Sequence, residues 1–164
     1  MTTPIDMALA AEIVAAGTAF GKMVVIAESC TGGMVVAALT DISGASAVLD
    51  RGLVTYSNDA KSSLLGVAGT TLASHGAVSP ETAAEMAAGA LAAAPQSHVA
   101  VAITGIAGPD GGSAEKPLGL VWFGLAVRGG AVETCRHLFD GDRTAIRTQA
   151  ANEALRLLLG GLKS

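Results

Sequence analysis

Two short runs, Met23-Val24-Val25-Ile26-Ala27 and Val99-Ala100-Val101-Ala102-Ile103, carry apolar side chains at every position, without the alternation of a half-buried strand. Strands of that kind must be covered on both faces, which requires helices above and below a sheet. Each run ends abruptly in small and polar residues. The first passes into Glu28-Ser29-Cys30-Thr31-Gly32-Gly33, and the second passes through Thr104 into a glycine-rich segment, 105–113.

Helices are expected around these strands. Thr3-Pro4 reads as a helix start, with Leu9, Ile13, Ala16 and Phe20 on one face until Gly21 stops it. Residues 31–41 read as the helix after the first strand. Ser79-Pro80-Glu81 opens another, with Ala83, Met86, Ala87, Ala90 and Leu91 on one face before Pro95 ends it. A last helix is expected over 142–159, with Gly160-Gly161 as its stop. Residues 51–56 are β-branched and aromatic enough for a further strand, ending at the turn or cap cluster Ser57-Asn58-Asp59. Residues 119–127 and 131–139 form a strand pair across the Gly129-Gly130 turn, the second near a sheet edge. Alternating helices and buried strands make a layered α/β domain, and the tight hairpin means that its sheet is not wholly parallel. One domain over 1–164 accommodates the whole chain.

Composition narrows the partners. The chain is 51% hydrophobic and 15% charged, with a net charge of -4, and its pI is about 5.2. That balance argues against a nucleic-acid footprint, which needs clustered Lys and Arg. No apolar run is long enough to span a bilayer, and the N-terminus lacks the basic start of a signal peptide. A cytoplasmic protein with two free thiols, Cys30 and Cys135, is the expectation.

Three loops directly follow expected strands: 28–33, 56–61 and 104–109. With those strands parallel, all three lie at the carboxyl edge of the sheet, where open α/β folds bind ligands. In the first, glycines permit close backbone approach, and unpaired N–H groups at a helix start can hold an anion such as a phosphate or an acyl oxyanion. Ser29 stands beside that position, either as a nucleophile or, with Thr31, as a helix cap. A serine nucleophile needs a base. His75, His98 and His137 show no triad or metal-type spacing and read as structural or solvated. Lys61 can act as a free-amine base if partly buried, with Tyr56 relaying a proton or holding the amine; otherwise both are surface groups. The glycines at 105, 108, 111 and 112 match neither GxGxxG nor the GxxxxGK[ST] loop, so they form either a ligand cradle or a long turn. Arg143, in a helix's first turn, opposes the dipole; it is solvated or faces an anion from a substrate or a neighbouring subunit.

Taken together, 27–33, 52–67, 75–90 and 102–124 resemble the CinA C-terminal domain family, the PncC-type nicotinamide mononucleotide deamidases, in order along nearly the whole chain. The resemblance implies a three-layer α/β/α domain with a central mixed, mostly parallel sheet. It implies a serine amidohydrolase that needs neither metal nor cofactor and converts nicotinamide mononucleotide to nicotinic acid mononucleotide and ammonia in pyridine nucleotide salvage. The family's nucleophile falls on Ser29, and its tyrosine and lysine on Tyr56 and Lys61. Cys30, Thr31, Gly32, Gly33, Thr104, Gly105, Ala107, Gly108 and Arg143 are the expected substrate-binding positions. The expected partners are a small nucleotide and further copies of the chain, with no membrane contact. Two departures accompany the likeness: there is no room for the larger N-terminal domain many relatives carry, and Ser43-Gly44-Ala45-Ser46 replaces a common proline-glycine-serine segment. A non-catalytic nucleotide-binding regulatory module and a Cys30 nucleophile are the competing expectations.

Overall fold

The two continuous apolar runs form the middle of a five-stranded sheet. In the computed structural model of the chain, which describes residues 3–164, β1 (Met23–Glu28) pairs in parallel with β3 (Ser97–Gly105) on one side and β2 (Leu49–Val54) on the other. Next come β4 (Leu120–Val127) and β5 (Val132–Leu138), both paired antiparallel, for an order of β2-β1-β3-β4-β5. Only β4 runs against the other four strands. The 106–119 segment turns the chain from β3 into β4, and the glycine hairpin turns it back into β5: Gly129 has φ +84°, and the Gly130 N–H donates to the Val127 carbonyl at 2.9 Å.

Alternation along β1 and β3 sends Val24, Ile26, Val99, Val101 and Ile103 to one core and Val25, Ala27, Ala100 and Ala102 to the other. The first core is covered by α1 (Met7–Phe20), α2 (Met34–Thr40) and α6 (Arg143–Lys163). The second is covered by α3 (Asn58–Leu65) and α5 (Pro80–Ala93), with α4 (Gly69–His75) against α5. The result is the expected three-layer α/β/α arrangement. The second core is rich in alanine where α5 meets the sheet, and α5 lies so close that a Cβ on Gly124 would collide with the Ala83 carbonyl oxygen.

Four boundaries differ from the sequence reading. Helix α1 starts at Met7, and its cap is Asp6, which accepts from the Leu9 N–H at 2.9 Å, in place of Thr3-Pro4. Strand β2 covers Leu49–Val54 and leaves Tyr56 in the following loop. Helix α2 begins at Met34 because Gly32 and Gly33 have φ of +58° and +104°, which interrupts the helical path after Thr31. Helix α6 continues through Gly160-Gly161 to Lys163. Gly161 is a point of close packing, since a Cβ there would lie 2.6 Å from Val99 Cγ1.

The connections place the site. From β1 to β2 the chain passes through α2 on one face, and from β2 to β3 it passes through α3, α4 and α5 on the other. Strand β1 therefore stands at a topological switch point, where loops leaving the carboxyl edge diverge and open a crevice. Glu28, the last residue of β1, is in register with Val54 and Ile103, so all three loops start at one level.

Candidate active site

Ser29 immediately follows β1 and is fixed by the ladder it leaves. Its N–H donates to the Ile103 carbonyl at 3.0 Å, while the Thr55 N–H donates to the Glu28 carbonyl at 2.8 Å. From the next strand, Ser57 caps α3 through a bond from the Ala60 N–H, and Lys61 falls one turn into that helix. The side chain of Lys61 turns inward and is only 1% exposed. Its Nζ lies 3.0 Å from Ser29 Oγ and 2.9 Å from the Thr55 carbonyl oxygen. Burial lowers its pKa, because the charged ammonium loses its water; only the ionised form of the nearby Cys30 opposes this.

As an ammonium, Lys61 donates to both oxygens. As a neutral amine it donates to Thr55 and offers its lone pair to the Ser29 hydroxyl. The same distances therefore serve a base before proton transfer and an acid after it.

The turn after Ser29 is held from two sides. Glu28 is fully buried, and its carboxylate accepts from the Val35 N–H at 3.1 Å and the Val36 N–H at 3.2 Å, capping α2. Neither Ser29 nor Thr31 caps that helix; the Thr31 hydroxyl is buried without a hydrogen-bond partner among the described residues. On the other side Arg147 of α6 donates from Nε to the Cys30 carbonyl at 2.9 Å and from Nη2 to the Thr31 carbonyl at 3.2 Å. Within the turn, the Gly32 N–H donates to the Ser29 carbonyl. The N–H groups of Cys30, Thr31 and Gly33 have no acceptor among the described residues.

Ser29, Cys30 and Lys61 line a cleft of about 310 Å³, together with Tyr56, Thr104, Gly105, Ala107, Gly108 and Arg143. That volume lies at the lower end of ordinary small-ligand sites. Thr31, Gly32 and Gly33, expected at the substrate, are not among the lining residues. Thr104 is buried, and its hydroxyl donates to the Ala77 carbonyl at 2.8 Å, tying the end of β3 to the segment that precedes α5. Tyr56 is 63% exposed. Its hydroxyl accepts from Arg143 Nη2 at 3.1 Å, and Arg143 Nη1 donates to the Gly108 carbonyl at 2.6 Å. The phenol thus has no hydrogen bond to Ser29 or Lys61, and it joins Arg143 in a bridge across the rim. Cys30 is buried, which pushes its thiol up to about 11. At neutral pH it is a protonated thiol, a poor nucleophile.

Sequence reasoning missed Asn58, Ala77, Val78 and Asp110, which also line the cleft, and the anchoring roles of Glu28 and Arg147. Arg147 had a local signal: it lies four residues after Arg143, on the same face of a helix. No histidine lines the cleft. The His98 ring accepts from the Met23 N–H, His137 stacks on Phe139, and His75 lies 3.6 Å from Glu81.

Over residues 6–162 the sequence matches the CinA C-terminal domain. The chain belongs to the CinA C-terminal domain family. It is 56% identical over 151 residues to the nicotinamide-nucleotide amidohydrolase PncC of Enterobacter agglomerans, covering 92% of each chain. It is 52% identical over 158 residues to the PncC protein of Escherichia coli strain K12, covering 96% of this chain and 95% of that one. The crystal structure of the competence/damage inducible protein CihA from Agrobacterium tumefaciens matches all of both chains with a TM-score of 0.93 at 48% identity. This CinA domain also occurs within longer proteins. A CinA-like protein of Anaeromyxobacter dehalogenans is 50% identical over 89% of this chain, which is 35% of that protein.

Proposed function

We propose that this CinA domain hydrolyses the carboxamide of nicotinamide mononucleotide, releasing ammonia and leaving nicotinic acid mononucleotide. The observation that carries the reading is the buried Lys61 amine 3.0 Å from Ser29 Oγ, opening on a ligand-sized cleft. Near-full-length identity of 52% and 56% to proteins named nicotinamide-nucleotide amidohydrolase supports the substrate.

In this mechanism neutral Lys61 accepts the Ser29 hydroxyl proton as Oγ bonds to the carboxamide carbon. The resulting oxyanion accepts hydrogen bonds from free N–H groups of the 30–33 turn. Collapse breaks the carbon–nitrogen bond, and the Lys61 ammonium returns its proton to the leaving nitrogen, so that ammonia departs. Water then attacks the Ser29 ester, giving its proton to Lys61; the ester bond breaks, and the proton passes to Ser29. Burial of Lys61 makes the required neutral amine accessible at lower pH than for a solvated lysine. Tyr56 assists at the rim, where with Arg143 it contacts the nucleotide; the Arg143 guanidinium is suited to its phosphate. The place of such a reaction is the salvage of pyridine nucleotides.

An ammonia-release assay with nicotinamide mononucleotide, its riboside and free nicotinamide tests the reading. Wild type should turn over the mononucleotide, and Ser29→Ala should not. Calorimetry showing tight mononucleotide binding, with the ligand recovered unchanged, would instead indicate the regulatory module.

A further inference from the structure

We propose that Thr104 is a specificity residue for the carboxamide: its hydroxyl oxygen accepts from one substrate N–H and so selects a neutral amide over an ester or an acid. This rests on the amidase reading of Ser29. Glu28 and Ile103 are partners in the β1–β3 register, so Ser29 and Thr104 each stand one residue beyond them, on adjacent parallel strands. Alternation decides the face. Ile103 points to the first core and Ala102 to the second, which sends Thr104 to the side covered by α3 and α5. Ser29 points the same way, since its Oγ meets Lys61 of α3. Neighbouring strands lie roughly 4.8 Å apart, a separation that a carboxamide at Ser29 Oγ bridges with its nitrogen.

The Thr104 hydroxyl is already committed as a donor. The residue is only 1% exposed, yet it lines the cleft. Its one proton goes to the Ala77 carbonyl at 2.8 Å, and no donor among the described residues reaches its oxygen. What it offers a ligand is therefore a lone pair. A carboxamide supplies the matching N–H, and an ester has none. A carboxylate oxygen of the product would face that lone pair unless the hydroxyl gave up Ala77, which favours product release. Lys61 approaches from the β2 side, where it is tied to the Thr55 carbonyl, whereas Thr104 stands on the β3 side. The two flank the leaving nitrogen: Thr104 holds an N–H while Lys61 returns the proton. The ladder fixes the accepting oxygen, because Thr104 and Gly105 pair with Trp122 and Val121 of β4.

The test pairs nicotinamide mononucleotide with the methyl ester of nicotinic acid mononucleotide. On the ester, Ser29 Oγ bonds to the same carbon, the carbon–oxygen bond to methoxide breaks, and methanol leaves with the proton from Lys61. Wild type, Thr104→Ser and Thr104→Val are compared by kcat/KM on both substrates, which measures each transition state against free enzyme and substrate. Thr104→Val should lose about tenfold on the amide relative to the ester, as expected for one net hydrogen bond, while Thr104→Ser keeps the wild-type preference. Thr104→Ala takes the place of Thr104→Val if valine prevents folding. A purely structural threonine would lower the thermal midpoint and slow both substrates alike, and that unchanged preference would overturn the proposal. Calorimetry on Ser29→Ala needs no turnover: it should bind the amide about tenfold more tightly than the ester, and Ser29→Ala/Thr104→Val should bind both alike. Equal binding by Ser29→Ala, or a preference that survives in the double variant, would overturn the proposal. Wild type that releases no ammonia while the binding preference holds would refute the amidase reading alone. No ammonia and no binding of either ligand would overturn both.

Discussion

Replacing Glu28 with Gln separates a structural acid from a catalytic one. The buried carboxylate accepts from two adjacent backbone N–H groups, at 3.1 and 3.2 Å. A glutamine amide offers one oxygen, so one N–H keeps its partner and the other faces an NH₂ donor. The change removes one charge-assisted hydrogen bond and strands a buried donor, a combined loss of about 2–4 kcal/mol. For a chain of this size that corresponds to a fall of roughly 5–15 °C in the thermal midpoint. Urea unfolding followed by far-ultraviolet circular dichroism reads the loss directly, and an unchanged m-value would show that the denatured state is not responsible. Glu28→Ala, which strands both N–H groups and leaves a cavity, should lose more. Stability unchanged to within about 0.5 kcal/mol together with abolished turnover would refute the reasoning, because a cap of this kind cannot be removed without cost.

Lys61→Met should depress turnover strongly and flatten the pH dependence of stability. The folded pKa lies below the ordinary 10.5, so between the two values the unfolded chain binds more protons and wild-type stability rises with pH. Urea titrations of both proteins from neutral pH upward would show that rise only in wild type, and a constant difference between them would contradict the burial effect. Cys30→Ala should retain kcat within about threefold, and a thiol held at about 11 should resist iodoacetamide in the folded state. Mass spectrometry and residual activity after alkylation check both. Gly161→Ala should cost about 1–3 kcal/mol by overpacking against Val99, measured by chemical denaturation, although it improves helix propensity.

The fold was legible where local and global demands coincide. Continuous apolar runs could only be doubly covered strands, and Gly21, Ser79-Pro80 and Gly129-Gly130 each act through the backbone of their own neighbourhood. Helix α4 went unseen because it has no fully buried residue and packs on the core mainly through Leu72, which is too little for an apolar stripe. The glycines at 160 and 161 resemble a stop in isolation, but packing of α6 on Val99 and Leu125 outweighs the propensity cost. At the site, the meeting of Ser29 and Lys61 follows from strand order and helix pitch. What remained hidden depends on contacts across long stretches of chain: Arg147 reaches back to Cys30 and Thr31, and Arg143 draws Tyr56 to the rim.

The central claim is that Ser29 Oγ, activated by Lys61, becomes acylated by the carboxamide carbon. Rapid acid quench of a wild-type reaction, followed by intact-protein and peptide mass spectrometry, tests it most directly. The account predicts a transient mass increase equal to nicotinamide mononucleotide less ammonia, on the peptide containing Ser29, absent in Ser29→Ala and formed slowly in Lys61→Met. Turnover by Ser29→Ala at the wild-type rate, or an adduct that maps to Cys30, would contradict it.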